Sequence, residues 1–266
     1  MIITSLQNNG VKLARSLRKR KVRDETGLSL LEGYRAVYRG FECGIEFSEC
    51  YYAPKLFLGK NEPELLKKLE SNKVKIIETT PDVLAKIAYR DRPEGILAIA
   101  KTRTHKLTEL PIKKNGLYIV AESIEKPGNL GSILRSADAV GCDGVIVCQK
   151  RTDIYNPNVI TASTGALFST NLAEANGEEA LKWLKENSLT ILAATPEAQT
   201  IYSESNLTGG IALVVGAEQY GLTDFWKKNA DFNVKIPMLG YIDSLNVATA
   251  ATVILYEAAR QRNWKK

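Results

Sequence analysis

The sequence predicts an α/β protein in two parts, and three observations carry that prediction. From Leu117 onward, short continuous apolar runs alternate with helical segments, the pattern of a parallel sheet covered on both faces. The first hundred residues show shorter versions of both patterns, enough for a smaller α/β unit. Between them, Lys101–Gly116 is rich in Thr, Lys and Pro and weakly periodic, which marks a linker. The expected division is residues 1–100, a linker at 101–116, and a second domain at 117–266. At 44% hydrophobic and 25% charged residues, the chain is neither disordered nor a coiled-coil rod.

Taken in order, residues 10–20 have helical spacing with one strongly basic face, and Leu30–Phe41 give a second helical stretch. Strands are expected at Cys50–Ala53, Val74–Ile77 and Gly95–Ala100. Glu62–Ser71 and Pro81–Ile87 are expected helices, each with a Pro in or near the first turn, where its missing N–H leaves no bond unmade. In the second part the strands are Leu117–Ala121, Gly144–Cys148, Leu189–Ala194, Ile211–Val215 and Phe232–Ile236. Helices are expected at Asn129–Val140, Pro157–Phe168 and Glu178–Glu186, with a long one from Ser244 to about Trp264 closing the chain.

The formal charge of +6 is unevenly placed. Residues 1–40 carry nine basic and three acidic side chains, and the remaining residues carry equal numbers of each. An acidic partner is therefore expected at the N-terminal part alone. The four cysteines form no C-x-x-C pair, and with the single His105 they make no plausible zinc set, so no metal is expected. Cys142 and Cys148 read as structural. The first residues turn polar within a few positions, and no run reaches the roughly 18 apolar residues that span a bilayer. No membrane association is expected, and the expected compartment is the cytoplasm.

Three segments follow strand ends, where open α/β sheets bind their ligands. The first runs from Glu122 through Pro127 and Gly128 into a helix that Asn129 can cap, with Arg135 less than two turns on. The second is Gly216, Glu218 and Gly221, straight after a buried strand, where glycines let a ligand approach the backbone. The third, Ile236-Pro-Met-Leu-Gly through Asp243-Ser-Leu-Asn, places Ser244 or Asp243 as a cap and Asn246 in the first turn of the last helix. Each alone is an ordinary capped turn. There is no G-x-G-x-x-G and no Walker Lys-Ser pair, which disfavours dinucleotide enzymes and nucleotide triphosphatases.

Together, and in this order, the segments resemble the three motifs of the SpoU (TrmH-like) branch of the SPOUT methyltransferases. The matching residues are Asn129 and Arg135, then Gly216, Glu218 and Gly221, then Pro237-Met238 with Ser244-Leu-Asn-Val. The N-terminal part is similar to the family's substrate-binding domain of the L30e-like type, through Ser5-Leu-Gln-Asn-Asn with Lys12, Leu31-Glu-Gly followed by Arg35, and Gly95-Ile-Leu-Ala. The resemblance implies a trefoil-knot catalytic domain, S-adenosyl-L-methionine as methyl donor and a ribose 2′-hydroxyl of RNA as acceptor. Large-subunit ribosomal RNA is the first expectation; transfer RNA, or RNA binding without catalysis, are the alternatives. It further implies a homodimer whose active site draws on both subunits.

Carried over by position, Asn129, Arg135, Glu218, Ser244 and Asn246 surround the reacting hydroxyl, with Asn129 orienting Arg135. The backbone around Gly216, Ile236 and Leu245 cradles the cofactor. The family pattern often has a second Ser where this chain has Ala248, so a cofactor contact there falls to the backbone. Because a guanidinium stays charged, Arg135 is better suited to stabilise a developing alkoxide, or to hold a phosphate, than to act as a base. Lys12, Arg18, Arg20, Arg23 and Arg35 are the expected RNA contacts of the first domain.

Overall fold

The computed structural model describes residues 2–264, which form two compact units. The first part of the chain runs α1 (Asn9–Ser16), α2 (Arg20–Thr26), β1 (Leu28–Glu32), α3 (Tyr34–Glu42), β2 (Phe47–Tyr52), α4 (Glu62–Ser71), β3 (Lys75–Glu78), α5 (Pro81–Ile87) and β4 (Ile96–Lys101). The strands form one mixed sheet in the order β1-β4-β2-β3, antiparallel except where β2 meets β3. Its core packs Leu30, Tyr51, Leu97 and Ile99 against Val11, Ala14 and Leu17, and against Val83, Leu84 and Ile87 of α5.

Two expectations in this unit need correction. The helix expected over residues 10–20 is two short helices. The Ser16 hydroxyl donates to the Leu13 carbonyl at the end of α1, a local bond that competes with helix continuation, and Leu17 turns into the core. The expected helix Leu30–Phe41 is a strand followed by a helix. Leu30 and Leu31 pair with Ile99 and Ala98 of β4, and Gly33 then takes φ +87°, a conformation that side chains disfavour, before α3 begins.

The second part runs β5 (Leu117–Glu122), α6 (Pro127–Val140), β6 (Gly144–Cys148), α7 (Pro157–Ser163), α8 (Ala166–Ser169), β7 (Leu172–Ala175), α9 (Gly177–Glu186), β8 (Thr190–Ala194), β9 (Thr200–Ile201), β10 (Ile211–Val215), α10 (Asp224–Asn229), β11 (Phe232–Lys235) and α11 (Val247–Gln261). Its seven strands lie in the order β7-β6-β5-β10-β8-β11-β9, and every pairing is parallel. β5, β6 and β10 are buried along their whole length, which explains their uninterrupted apolar runs. The α/β architecture with a parallel C-terminal sheet is therefore present. The helix expected over Pro157–Phe168 divides into α7 and α8, and these pack with the first unit: residues up to Arg103 and Asp153–Ser169 make one unit, Thr104–Thr152 and the chain from Thr170 the other. α6 and α11 lie side by side, joined by the hydroxyls of Ser136 and Thr252 at 2.6 Å; Thr252 donates to the Ala248 carbonyl, so Ser136 is the donor between them.

Candidate active site

The site stands at the carboxyl ends of β5, β8, β10 and β11. At the end of β10, Gly216 enters a tight loop that closes through a hydrogen bond from the Gly221 N–H to the Ala217 carbonyl, 2.9 Å. A Cβ on Gly216 would stand 2.4 Å from the backbone of Gly221 and Leu222, so only glycine fits. This loop aims Glu218 across to the start of α6. Its carboxylate accepts from the backbone N–H groups of Glu125 and Lys126, each at 3.3 Å, and from the Asn129 side-chain amide at 2.5 Å. Partial burial works to raise the Glu218 carboxyl. The bonds from Asn129 and the surrounding backbone N–H groups outweigh it and hold the acid below its ordinary range.

The amide of Asn129 is used at both ends. Its oxygen accepts from the Asn246 Nδ2 at 3.1 Å, while the Asn246 oxygen accepts from the N–H groups of Ala248 and Thr249 and caps α11. One hydrogen-bonded chain, Glu218–Asn129–Asn246–α11, thus ties the three sequence segments together. The loops that follow β8 and β11 complete a cavity of about 410 Å³ lined by Gly216, Glu218, Ile236, Ser244, Leu245 and Asn246, among others. Ser244 is exposed and donates to Asp243.

Three expected site residues lie outside the cavity lining: Asn129, which is tied to it through Glu218 and Asn246, then Ala248 and Arg135. Ala248 does not line the cavity; it is buried at 5% exposure, and its N–H is consumed by the Asn246 cap, so no backbone donor remains there for a cofactor. Arg135 is exposed on α6 and does not line the cavity, and its side chain has no hydrogen bond or ion pair among the described residues. The Asn129 amide bonds to Glu218 and Asn246 and makes no hydrogen bond to Arg135 within this chain. The sequence reading missed Thr195 and Glu197, which wall the cavity from the end of β8, although their place after an apolar run was a usable signal. It also missed Glu122, whose buried carboxylate accepts from the Thr223 N–H and hydroxyl and anchors the far side of the Gly216–Gly221 loop.

Thiol chemistry is disfavoured. Burial pushes the Cys142 and Cys148 thiols up to about 12, so neither is a thiolate at neutral pH. Among the described residues no group of three or more His, Cys, Asp or Glu could hold a metal ion, and no helix is long and apolar enough to cross a membrane. A larger cavity of about 740 Å³ lies beside Leu117 and Asp143, at the amino ends of β5 and β6. The last turn of α6 borders it, but none of Asn129, Arg135, Gly216, Glu218, Ser244 and Asn246 does, and parallel sheets place their chemistry at the opposite end.

Among the expected RNA contacts, Lys12, Arg18, Arg20 and Arg35 are exposed. Arg23 is a correction. Its side chain is 3% exposed, donates to Asp153 through Nε (3.0 Å) and Nη2 (2.5 Å), and donates to the Leu17 carbonyl through Nη1. A guanidinium committed to a buried carboxylate cannot also hold a phosphate.

Residues 116–256 match the SpoU rRNA methylase family, and residues 8–98 match the MRM3-like substrate binding domain. The chain belongs to the SpoU rRNA methylase family. It is 32% identical over 253 residues, 92% of this chain and 87% of the relative, to a 23S rRNA (uridine(2479)-2′-O)-methyltransferase of Streptomyces viridochromogenes. The fold is similar to a crystal structure of an RNA 2′-O ribose methyltransferase (TM-score 0.89, 39% identity, covering 99% of this chain and 100% of that one). It is also similar to an AdoMet-bound rRNA methyltransferase from Sinorhizobium meliloti (TM-score 0.88, 29% identity, covering 98% and 97%).

The cavity of this SpoU-family chain fits S-adenosylmethionine. Its size lies in the range of small-molecule sites. Val215, Ile236, Leu245 and Ile254 offer apolar walls to a purine, while Glu197, Glu218 and Asp243 suit the donors of a ribose diol and the positive charge of a sulfonium.

Proposed function

We infer that this protein methylates a ribose 2′-hydroxyl in large-subunit ribosomal RNA, using S-adenosylmethionine held in the cavity at the carboxyl ends of β5, β8, β10 and β11. The observation that carries this reading is the hydrogen-bonded chain Glu218–Asn129–Asn246, which ties all three motif segments together beside one cavity. The bound cofactor supplies an electrophilic methyl group. The protein's own part is positioning: Asn129 and Asn246 are locked by their partners before substrate arrives, so no reorganisation is needed to present the hydroxyl in line. Glu218, held below the ordinary carboxylate range, is a poor base, and its work is to fix the Asn129 amide.

Arg135 enters from a second copy of the chain. In one chain it stands unpartnered outside the cavity, where it can reach the neighbouring site of a symmetric dimer and stabilise charge growing on the attacking oxygen. The first unit holds the RNA through Lys12, Arg18, Arg20 and Arg35, and the enzyme works in the cytoplasm. The test is transfer of labelled methyl from S-adenosylmethionine to ribosomal RNA lacking the modification, followed by mapping of the ribose-methylated position. Label confined to transfer RNA would reassign the substrate, and RNA binding without any transfer would remove the catalytic reading.

A further inference from the structure

The first unit contains a second cavity, of about 450 Å³, remote in sequence from every methyltransferase motif. It opens where β1 passes into α3. Two buried carboxylates and the half-buried Arg90 line it, and each holds a buried polar atom that has no hydrogen-bond partner. Glu32, 5% exposed, accepts from the N–H groups of Tyr89 (2.8 Å) and Arg90 (3.2 Å) through one oxygen and leaves the other unpaired. Glu62, 2% exposed, accepts from the Gly59 N–H at 2.9 Å and likewise leaves one oxygen unpaired. Arg90 pairs with Glu94 and leaves its Nε unpaired. Buried polar atoms are almost always satisfied, so three around one cavity indicate groups arranged for something that is brought to them.

The rest of the lining narrows its chemistry. α3 begins at Gly33 with no side-chain cap, and its first turn, Tyr34 to Ala36, lines the cavity, which favours an anion there. Arg35 lies in the same turn, exposed and without an ion-pair partner among the described residues. Tyr34 offers a ring already stacked on Tyr38 at 5.6 Å. The ligand therefore combines an anionic group, a flat face, and N–H donors for buried carboxylates. A nucleotide has all three. Among the four RNA bases only guanine presents two adjacent N–H donors, N1–H and the 2-amino group, one for the unpaired oxygen of each of the two carboxylates.

We propose that this cavity binds one unpaired guanosine of the RNA substrate, its phosphate at the α3 N-terminus and Arg35 and its base edge against Glu32 and Glu62. The proposal rests on the reading of the first unit as the RNA-binding part. Burial raises the Glu32 carboxyl above its ordinary value, as expected of an acid short of donors, and the guanine N–H groups supply them.

The experiment measures binding of the full-length protein to short single-stranded RNAs that differ at one position: guanosine, inosine (which lacks the 2-amino group), adenosine, cytidine or uridine. Guanosine should bind about tenfold or more tighter than adenosine, with inosine between them. Glu32→Gln should reduce the preference, Glu62→Gln should do so independently, and Arg35→Ala should weaken all five RNAs alike. A wild-type circular dichroism spectrum in each variant shows that both units are folded, and S-adenosylmethionine binding in the second unit should be unchanged. Strong RNA binding that ignores base identity and both Gln variants would overturn the guanosine site and leave the RNA-binding unit standing. Failure of every RNA to bind would overturn both. Weak competition by free GMP, with none by AMP, supports the site; tight GMP binding that no RNA displaces would reassign it to a free nucleotide.

Discussion

In the C-terminal unit the polar side chains at the cavity bond to one another: Glu218 to Asn129, Asn129 to Asn246, and Asn246 to the first turn of α11. In the N-terminal unit the polar groups around its cavity, Glu32, Glu62 and Arg90, each hold an atom with no partner. The basic side chains Lys12, Arg18 and Arg35 stand exposed on the same unit. A wall whose groups are mutually satisfied is rigid before substrate arrives and suits catalysis by positioning. Unsatisfied groups carry a standing energetic cost that a ligand relieves, which suits recognition. The two units differ in what is completed by folding and what is completed by binding.

The largest break in that comparison comes from Asn129→Asp, which replaces the donor to Glu218 with a second carboxylate. Methyl transfer should fall by about a hundredfold or more, with RNA affinity little changed, in a steady-state assay paired with an RNA-binding measurement. Arg135→Lys should lose activity to a similar degree, because a point charge lacks the planar fork of the guanidinium. Mixing Arg135→Ala protein with Asn129→Asp protein sharpens the subunit assignment. If Arg135 serves the partner's site, an equal mixture of exchanged dimers should recover about a quarter of wild-type activity; if it serves its own, none returns.

Next in size is Arg23→Ala, which strands the buried Asp153 carboxylate and should cost roughly 3–5 kcal/mol in denaturant melts. Charge reversal at Arg18 and Arg20 should leave stability nearly unchanged and lower the log–log salt slope of RNA binding by about 0.7 for each phosphate no longer neutralised. Equal stability losses at Arg23 and Arg18 would contradict the division between buried and exposed arginines.

The smallest effect is in pH. Glu32 is raised in the folded protein, so folding favours its protonated form, and its contribution improves as pH falls toward the ordinary carboxylate range. Glu218 is lowered, so its stabilisation is present above the unfolded value and is lost as pH falls through the folded one. Melting temperatures of Glu32→Gln and Glu218→Gln between pH 7 and about 3.5 should therefore depart from wild type in opposite directions. Parallel curves would show that the two acids sit in equivalent environments.

Much of the catalytic half was legible in the sequence because β5, β6 and β10 are buried along their whole length, leaving apolar runs bounded by glycine turns. Less of the first unit was. Leu30, Leu31, Val37 and Phe41 recur at near-helical spacing although a strand, Gly33 and a helix produce them. The fate of Arg23 depends on Asp153, 130 residues away, and no local pattern reports such a partner. The bonds from Asn129 to Glu218 and Asn246 span 89 and 117 residues, so the motifs showed which residues matter without showing that these two, and not Arg135, are the partners of Asn129. Ala248 was misassigned because motif position does not reveal that a neighbouring cap already holds its N–H.

The excursion Asp153–Ser169, which carries α7 and α8 into the first unit, has a consequence for synthesis. An N-terminal domain ordinarily folds as soon as its own stretch of chain has been made. Here the first unit lacks Asp153, α7 and α8 until translation passes Ser169, well into the catalytic half. Until then Arg23 has no carboxylate to meet, and strand β1 has no α7 beside it. The part of the protein that is written first is finished only after β5, α6 and β6 of the second have left the ribosome.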